Sequence, residues 1–513
     1  IKITTLTIMK KINKALISVY SKIGLESVLK TLKSFNISLI STGGTEKFIK
    51  DLGYKVEGVE NLTGYPSILD GRVKTLHPKI FGGILAKTNS KENLKEISLH
   101  QIPLIDLLIV DLYPFEETVL SDAHHNEIIE KIDIGGISLI RAAAKNFKDV
   151  LCISNKSDYK KLNEILINNN GCSNLEERKK FARKAFDVSS KYDSEIFKYF
   201  DEDNSSLKIN ISRANKLRYG ENPHQKGIFY GSIEDSFEQL NGKKVSYNNL
   251  IDIDSAVNLM SEFNSKNSVF GIFKHNNACG FSSKDSTKKS FLSSLSSDPI
   301  SAFGGVLISN KKIDYETSLE LNKLFFEIII APSFDNDSLN LLKTKKNRII
   351  LKQKNILLQS ETIRSCLNGY LFQDRDIITD SESNFKYVTK VKPSKNEIND
   401  LIFASKISKH TKSNTIVIVK DLQLLSSGTG QTSRVDALNQ AIQKAIKFGF
   451  SLNGAVMASD AFFPFPDCIE IANNHKITSV IQPGGSIKDN LSINLCNTNK
   501  MSMVFTGIRH FKH

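Results

Sequence analysis

The chain has 513 residues, 40% of them apolar and 24% charged, and carries a formal net charge of +14 at pH 7. Such a length exceeds one ordinary core and predicts about two to four domains, and the balance excludes a disordered or fibrous chain. No apolar run approaches the roughly 20 residues that span a bilayer, so no membrane partner is expected.

Residues 1–10 are mildly apolar but lack a small-residue cleavage pattern, so no secretory leader is expected. Met9-Lys10-Lys11 reads as a natural start and the chain as cytoplasmic. From there short apolar runs alternate with amphipathic stretches, as βα units do. Residues 15–20 (ALISVY) read as a buried strand, and 24–35 as a helix with Leu25, Val28, Leu29 and Leu32 on one face. A second strand at 37–41 runs into Thr42-Gly43-Gly44-Thr45 and a helix at 46–52. Strands are expected at 104–110 and 150–154, and Asp133-Ile134-Gly135-Gly136 opens a helix at 137–146. This alternation predicts an α/β domain with a parallel sheet over 10–200. A helical stretch at 176–200 gives way to Asp201-Glu202-Asp203-Asn204-Ser205-Ser206, which predicts a linker over 201–212 and a different domain over 213–513.

The distal part carries a weak internal repeat. FGIFK ending at Lys274 resembles VIVK ending at Lys420, GVLIS from Gly305 resembles GAVMAS from Gly454, and IIIAP ending at Pro332 resembles SVIQP ending at Pro483. Three matches in one order at nearly equal spacing predict two similar α/β subdomains, approximately 213–390 and 391–513, with a cleft between them.

Six scattered cysteines form no C-x-x-C pair, which predicts neither a metal site nor a disulfide framework. Lys plus Arg exceed Asp plus Glu by 69 to 55, yet they are spread along the chain without a basic tail or interleaved aromatics. Small anionic substrates are therefore expected, and no nucleic acid.

Several polar clusters are candidates for chemistry. Ser41-Thr42-Gly43-Gly44-Thr45 fits a phosphate cradle at a helix N-terminus, and equally a plain glycine-rich turn. Asp70-Gly71-Arg72-Val73-Lys74-Thr75-Leu76-His77-Pro78 offers a planar fork, a point charge and a hydroxyl to an anion, or is a solvated loop with a structural His-Pro turn. Asp133 is an acid or a helix cap; Lys145 is a proton carrier or a surface lysine. Lys274-His275 ends a strand that reads as buried, where desolvation tunes both groups, or faces water as a turn. Arg218-Tyr219 begins another polar–aromatic cluster, and Phe462, Phe463 and Phe465 beside Asp460 and Asp467 suit a flat heterocycle or a core strand entering a turn.

In order along the chain, SVYSKIGL, STGGT, GRVKTLHP, LYPF, KIDIGG with RAAAKN, LRYGENPHQ, KHNNACG, SDPISAFGG, GTGQTSR, SDAFFPF and RHFKH resemble one family. It is that of the bifunctional purine biosynthesis proteins, aminoimidazole carboxamide ribonucleotide (AICAR) formyltransferase joined to IMP cyclohydrolase. The resemblance implies a methylglyoxal-synthase-like first domain that binds the formylated nucleotide. Ser18, Lys22, Thr42, Gly43, Gly44, Thr45, Arg72, Thr75, Asp111 and Ile134 match binding positions, and Lys74, Tyr113, Asp133 and Lys145 match positions that serve ring closure. It further implies two cytidine-deaminase-like subdomains and an active site at a homodimer interface. Lys274 and His275 match the catalytic pair and Asn414 an orienting amide; Arg218, Tyr219, Gly304, Glu327, Arg434, Arg509 and Phe511 match nucleotide positions. Phe462, Phe465, Asp467 and Ser486 match the folate side, with 10-formyltetrahydrofolate as co-substrate and no tightly bound cofactor. Two departures are Tyr20, where the family often has serine before Asp-Lys, and Ala278, where many bacterial members have proline. A zinc nucleobase deaminase would need H-x-E and P-C-x-x-C, and neither occurs. A methylglyoxal synthase or a regulatory nucleotide-binding module would account for the first domain alone.

Overall fold

The computed structural model describes residues 9–263 and 267–513; residues 1–8, and with them most of the stretch read for a leader, lie outside the described residues. The chain divides into two compact units, Ile1–Ser212 and Arg213–His513.

The first unit is built on strands β1 (Lys14–Ser18), β2 (Ser38–Ser41), β3 (Glu57–Gly58), β4 (Leu107–Val110) and β5 (Leu151–Ile153). They form one sheet in the order β3-β2-β1-β4-β5, every pair parallel. Parallel sheets are covered on both faces, and the strands are accordingly near-continuous apolar runs. Alternation divides them: Ala15 and Ile17 pack with helix α1 (Leu25–Ser34), whereas Leu16 packs on the other face with Leu139 and Ile140 of α3 (Gly135–Lys145). Helix α1 buries Leu25, Val28, Leu29 and Leu32, each burial worth about 1.5–3 kcal/mol. Helix α2 (Gly43–Asp51) begins earlier than periodicity predicts, because extended Thr42 is its cap and the glycine pair its first turn. Helix α4 (Leu175–Phe200) is opened by a reciprocal Asn174–Glu177 capping box.

In the second unit a first series of elements comprises β6 (Phe237–Asn241), α5 (Tyr247–Ser261), β7 (Ser268–Lys274), β8 (Asn277–Lys284), β9 (Val306–Ser309), β10 (Ile328–Ala331) and β11 (Ile349–Gln353). A hairpin, β12 (Glu361–Cys366) and β13 (Gly369–Asp374), follows. The second series is β14 (Lys386–Tyr387), α7 (Lys395–Lys409), β15 (Ile416–Lys420), β16 (Gln423–Gly428), α8 (Arg434–Lys447), β17 (Val456–Ser459), β18 (Ser479–Gln482) and β19 (Ser502–Phe505); α6 (Thr287–Ser297) of the first series corresponds to α8.

All these strands except the hairpin join one twelve-stranded sheet, β6-β11-β10-β9-β7-β8-β16-β15-β17-β18-β19-β14. Outward from the β8–β16 seam the order is the same in both directions, with matching parallel and antiparallel pairs. The repeated strings thus occupy equivalent strands: β7 with β15, β9 with β17, β10 with β18. The core is continuous across the seam, since Phe281 and Val306 pack in one cluster with Val417, Val419 and Val456.

Candidate active sites

In the first unit the candidates gather at the carboxyl ends of β1, β2 and β4, where parallel sheets hold ligands. Ser18 ends β1, Thr42 caps α2 and Asp111 follows β4. The buried Thr45 hydroxyl accepts from the Val19 amide at 3.1 Å and donates to its carbonyl at 2.9 Å, so it braces the loop. Thr42 donates to Glu60 at 3.3 Å. Gly43 adopts φ +54°, and a Cβ there would stand 3.4 Å from the Lys74 ammonium; a glycine lets that charge reach the first turn of α2. The space beside Gly44 is open. Amides and a lysine at one helix start are chemistry that could hold an anion.

Acids and bases stand around it. Lys22 donates to the carbonyls of Val19 at 2.6 Å and Tyr20 at 3.0 Å. Burial holds its ammonium below the ordinary lysine value, with Asp111 opposing and Lys74 adding to the effect. Burial pushes the Asp111 carboxyl up, although it accepts from the amides of Ser21 (3.1 Å) and Tyr20. Asp133 is also pushed up by burial, against its bonds from the Gly136 and Ile137 amides at 2.5 and 3.3 Å and against Lys74. Through those bonds Asp133, just before the N-cap residue Ile134, holds the first-turn amides of α3. Tyr113 is raised by burial, then by Asp133 and Tyr20, and packs edge-on to Tyr20 at 5.6 Å.

Thr75 is buried against Gly135, and Ile134 is exposed. Arg72 pairs with Glu130 on the surface. His77 accepts from the Lys79 amide at 3.1 Å and caps the helix Pro78–Leu85, a structural job. Lys145 is exposed at the last residue of α3, about 16 Å along the helix from the end that Asp133 holds. The protomer therefore does not bring Lys145 to the other candidates. Residue-by-residue reading missed Lys131, whose ammonium lies over both Tyr20 (5.8 Å) and Tyr113 (5.9 Å), and Tyr192 of α4, which accepts from the Asp133 amide at 2.8 Å. Neither carries a local signal, because each reaches the site through tertiary packing.

In the second unit register places the candidates at one end of the twelve-stranded sheet. Lys274 ends β7; Phe273 faces Val306, so Gly304 is at that end, and Glu327 precedes β10 there. Asn414 precedes β15, and Asp460, Phe462 and Ser486 follow β17 and β18 at the same end.

His275 and Asn276 form a two-residue hairpin turn with φ +49° and +67°, as tight hairpins require. Asp252 of α5 accepts from the Asn276 amide at 2.7 Å and fixes that turn. Lys274 donates to the Phe303 carbonyl at 2.8 Å; Gly304 has φ +70°, and a Cβ there would stand 3.1 Å from the ammonium. Glu327 accepts from Asn249 at 3.1 Å and lies 3.5 Å from Lys243. Asn414 donates to the carbonyls of Gln431 and Thr432 at 3.0 and 3.2 Å. Arg434 reaches Asp460 at 3.3 Å, and both Arg434 and Arg509 lie over Phe511, at 5.8 and 4.4 Å. Burial pushes the Asp460 carboxyl up.

Phe462 and Phe465 are exposed, with Lys488 4.2 Å over Phe465. Asp467 bonds the Cys468 amide at 2.8 Å, and Ser486 the Lys488 amide at 3.2 Å. Exposed Arg218 stacks on Tyr219 at 5.5 Å. Lys274 and Asn414 are three strand spacings apart in one chain, about 14 Å. Among the described residues no cluster of three His, Cys, Asp or Glu has metal-binding geometry, and no helix is long and apolar enough to cross a membrane.

The AICARFT/IMPCHase bienzyme family matches residues 143–444, more than half of the chain, and the MGS-like domain matches 24–138. The bifunctional purine biosynthesis protein PurH of Bacteroides thetaiotaomicron is 55% identical over 98% of this chain and 99% of its own length. PurH of Aquifex aeolicus is 44% identical over 98% and 100%, and that of Caldicellulosiruptor saccharolyticus 46% over 98% and 99%. The chain therefore belongs to the AICARFT/IMPCHase bienzymes, the bifunctional purine biosynthesis proteins.

Proposed function

We propose that the two activities of this bienzyme occupy separate units, ring closure in 10–200 and formyl transfer in 213–513, the latter with two cytidine-deaminase-like halves. The chain is an AICAR formyltransferase and an IMP cyclohydrolase of purine biosynthesis. The observation that carries the function is a match that runs nearly end to end, through both units.

In the second unit the arylamine of AICAR attacks the formyl carbon of 10-formyltetrahydrofolate. His275 takes the amine proton as the bond forms, and the Lys274 ammonium stabilises the tetrahedral oxyanion. Collapse expels tetrahydrofolate, which leaves with a proton. Asn414 orients the formyl group; Arg218, Tyr219, Gly304, Glu327, Arg434, Arg509 and Phe511 hold the nucleotide. Phe462 and Phe465 give the pterin an apolar wall, with Asp467 and Ser486 as polar partners.

In the first unit the phosphate and ribose bind along Ser18, Lys22, Thr42 to Thr45, Arg72 and Thr75, with Asp111 and Ile134 beside them. A carboxamide nitrogen attacks the formyl carbon, loses its proton, and water departs. Asp133 and Tyr113 have raised pKa values, which suits groups that hold a proton until the leaving oxygen needs it. Lys74 supplies positive charge at the same place, and Lys145 is assigned by resemblance alone.

The protein works as a cytoplasmic homodimer without a tightly bound cofactor or nucleic-acid partner. Two features support the dimer. The spacing of Lys274 and Asn414 leaves one protomer's site open. Every residue of the β12–β13 hairpin is exposed, including Ile363, Tyr370, Leu371 and Phe372. A lone hairpin is marginal in water, and such a patch marks an interface that a second copy would cover. Supplying AICAR and 10-formyltetrahydrofolate to the purified chain tests the function: inosine monophosphate must accumulate.

A further inference from the structure

Behind the formyl-transfer candidates lies a buried ion network that no step above uses. Glu262, just after α5, accepts from Lys409 at 2.8 Å, from Thr379, and faces the His410 ring at 3.0 Å. Lys409 also donates to the Ile378 carbonyl at 2.8 Å and stands 3.9 Å from Asp376. The 376–380 strap that follows the β12–β13 hairpin is thus fastened to α7. It meets the last residues of the chain as well: His510 Nδ1 lies 2.6 Å from Asp376, and its Nε2 3.6 Å from Asp380. Asp380 is 4% exposed, accepts from Ser405 through one oxygen, and leaves the other without a partner.

The terminal segment is held at further points. The His510 amide donates to the Asp460 carbonyl at 3.0 Å. The Ser413 amide donates to the Lys512 carbonyl at 2.9 Å, the Lys512 amide donates to the Ser413 hydroxyl at 3.0 Å, and the Lys512 ammonium donates to the His410 carbonyl at 2.9 Å. Ser413 precedes Asn414, and Arg509 and Phe511 flank His510.

We propose that His510 is a positioning residue for formyl transfer: clamped between Asp376 and Asp380, it holds Arg509 and Phe511 beside Arg434 and Asn414. The clamp rests on the nucleotide-binding roles proposed above for those neighbours. A cation is the right occupant, because an unpaired Asp380 carboxylate in this position would be strongly penalised. The two histidines of the network are pushed in opposite directions. Burial lowers His410, with Glu262 opposing and Lys512 and Lys409 adding to the effect; for His510 burial also lowers, but Asp380 and Asp376 together outweigh it and raise the ring above the ordinary value of 6.5. The charged groups against the His510 ring are Asp376 and Asp380 on the strap. Lys409 on α7 stands 3.9 Å from Asp376; Asp460, which takes the His510 amide on its carbonyl, pairs with Arg434; and Arg509 and Lys512 lie on the histidine's own segment. The clamp is therefore complete below the ordinary histidine value and opens as pH rises through the raised one.

The test is steady-state formyl transfer by the full chain, with AICAR varied at a series of pH values. In the parent, KM for AICAR is flat below the ordinary histidine value and rises as pH passes through the raised value of His510. His510→Gln raises KM roughly tenfold at neutral pH, removes that pH dependence, and leaves kcat within about twofold. Asp376→Asn, at a half-exposed position that folds without a stranded charge, moves the rise in KM to lower pH. Cyclisation of added formylated nucleotide stays at the parent rate in both. An unchanged KM and pH profile in folded Asp376→Asn, or an equal loss of kcat and cyclisation, overturns the clamp. Failure of the nucleotide-site reading shows separately, as Arg509→Ala leaving KM for AICAR at the parent value.

Discussion

Lys274 and Lys420 hold the same place in the two halves of the large unit. Lys274 donates to the Phe303 carbonyl and Lys420 to the Asn453 carbonyl, each at 2.8 Å, and each ammonium faces a glycine of positive φ, Gly304 or Gly454. The turns that follow are alike: Asp252 accepts from the Asn276 amide at 2.7 Å, and Asp400 from the amides of Asp421 and Leu422 at 2.8 and 2.6 Å. Both aspartates take the sixth position of a fifteen-residue helix. The turn residues differ, His275-Asn276 against Asp421-Leu422, and antiparallel register puts the second set at the opposite end of the sheet. An aspartate under a turn is therefore scaffold, common to both halves, and the bond to a carbonyl gives the two lysines equivalent placements. The histidine belongs to one half only, the half to which the proposed function assigns the proton transfer.

That contrast predicts unequal losses. His275→Ala should lower kcat for formyl transfer by roughly 10²-fold or more, whereas Asp421→Ala at the matching turn should leave it within about twofold. Equal losses in an initial-rate assay would erase the contrast. Lys274→Ala should cost roughly tenfold or more in kcat, through the oxyanion, and Lys420→Ala none. A comparable loss from Lys420 would mean that the second end of the sheet also takes part.

The shared scaffold predicts equal effects in turn. Asp252→Ala and Asp400→Ala should each destabilise the protein by about 1–3 kcal/mol, read as similar drops in Tm. A drop for Asp252 alone would make its bond a device of the active half. A pH-dependent effect comes from Glu262, which ties the halves together. Bonds from His410, Lys409 and Thr379 outweigh burial and lower its carboxyl to about 2. Its contribution is complete above the ordinary glutamate range and lost as pH falls toward about 2; Glu262→Gln should remove that acid-side loss from a denaturant titration.

Local pattern made much of this fold legible. The apolar runs at 15–20 and 104–110 and the stripe of Leu25, Val28, Leu29 and Leu32 report burial through their own periodicity, and the parallel class follows. The repeat was legible because lysine- and glycine-ended strings recur in order. Continuity of the twelve strands was not, since the β8–β16 seam rests on a single bridge, Ser282 with Gln423. The β12–β13 hairpin has no buried face, so alternation could not announce it. Among the candidates, Thr42, Gly43 and Lys74 stand out as strings and meet in space. Lys131, Tyr192, Asp252 and His510 stand in no motif; each gains its place from an element far along the chain.

The central claim is that one chain keeps two chemistries in separate units. The most direct test supplies AICAR and 10-formyltetrahydrofolate to folded His275→Ala, Lys74→Ala and Lys145→Ala, and follows tetrahydrofolate, formylated nucleotide and inosine monophosphate together. The account predicts that His275→Ala makes little tetrahydrofolate yet cyclises added formylated nucleotide at near the parent rate. The two lysine variants should release tetrahydrofolate normally while formylated nucleotide accumulates. Loss of both activities from any one substitution, with circular dichroism and melting unchanged, would contradict it.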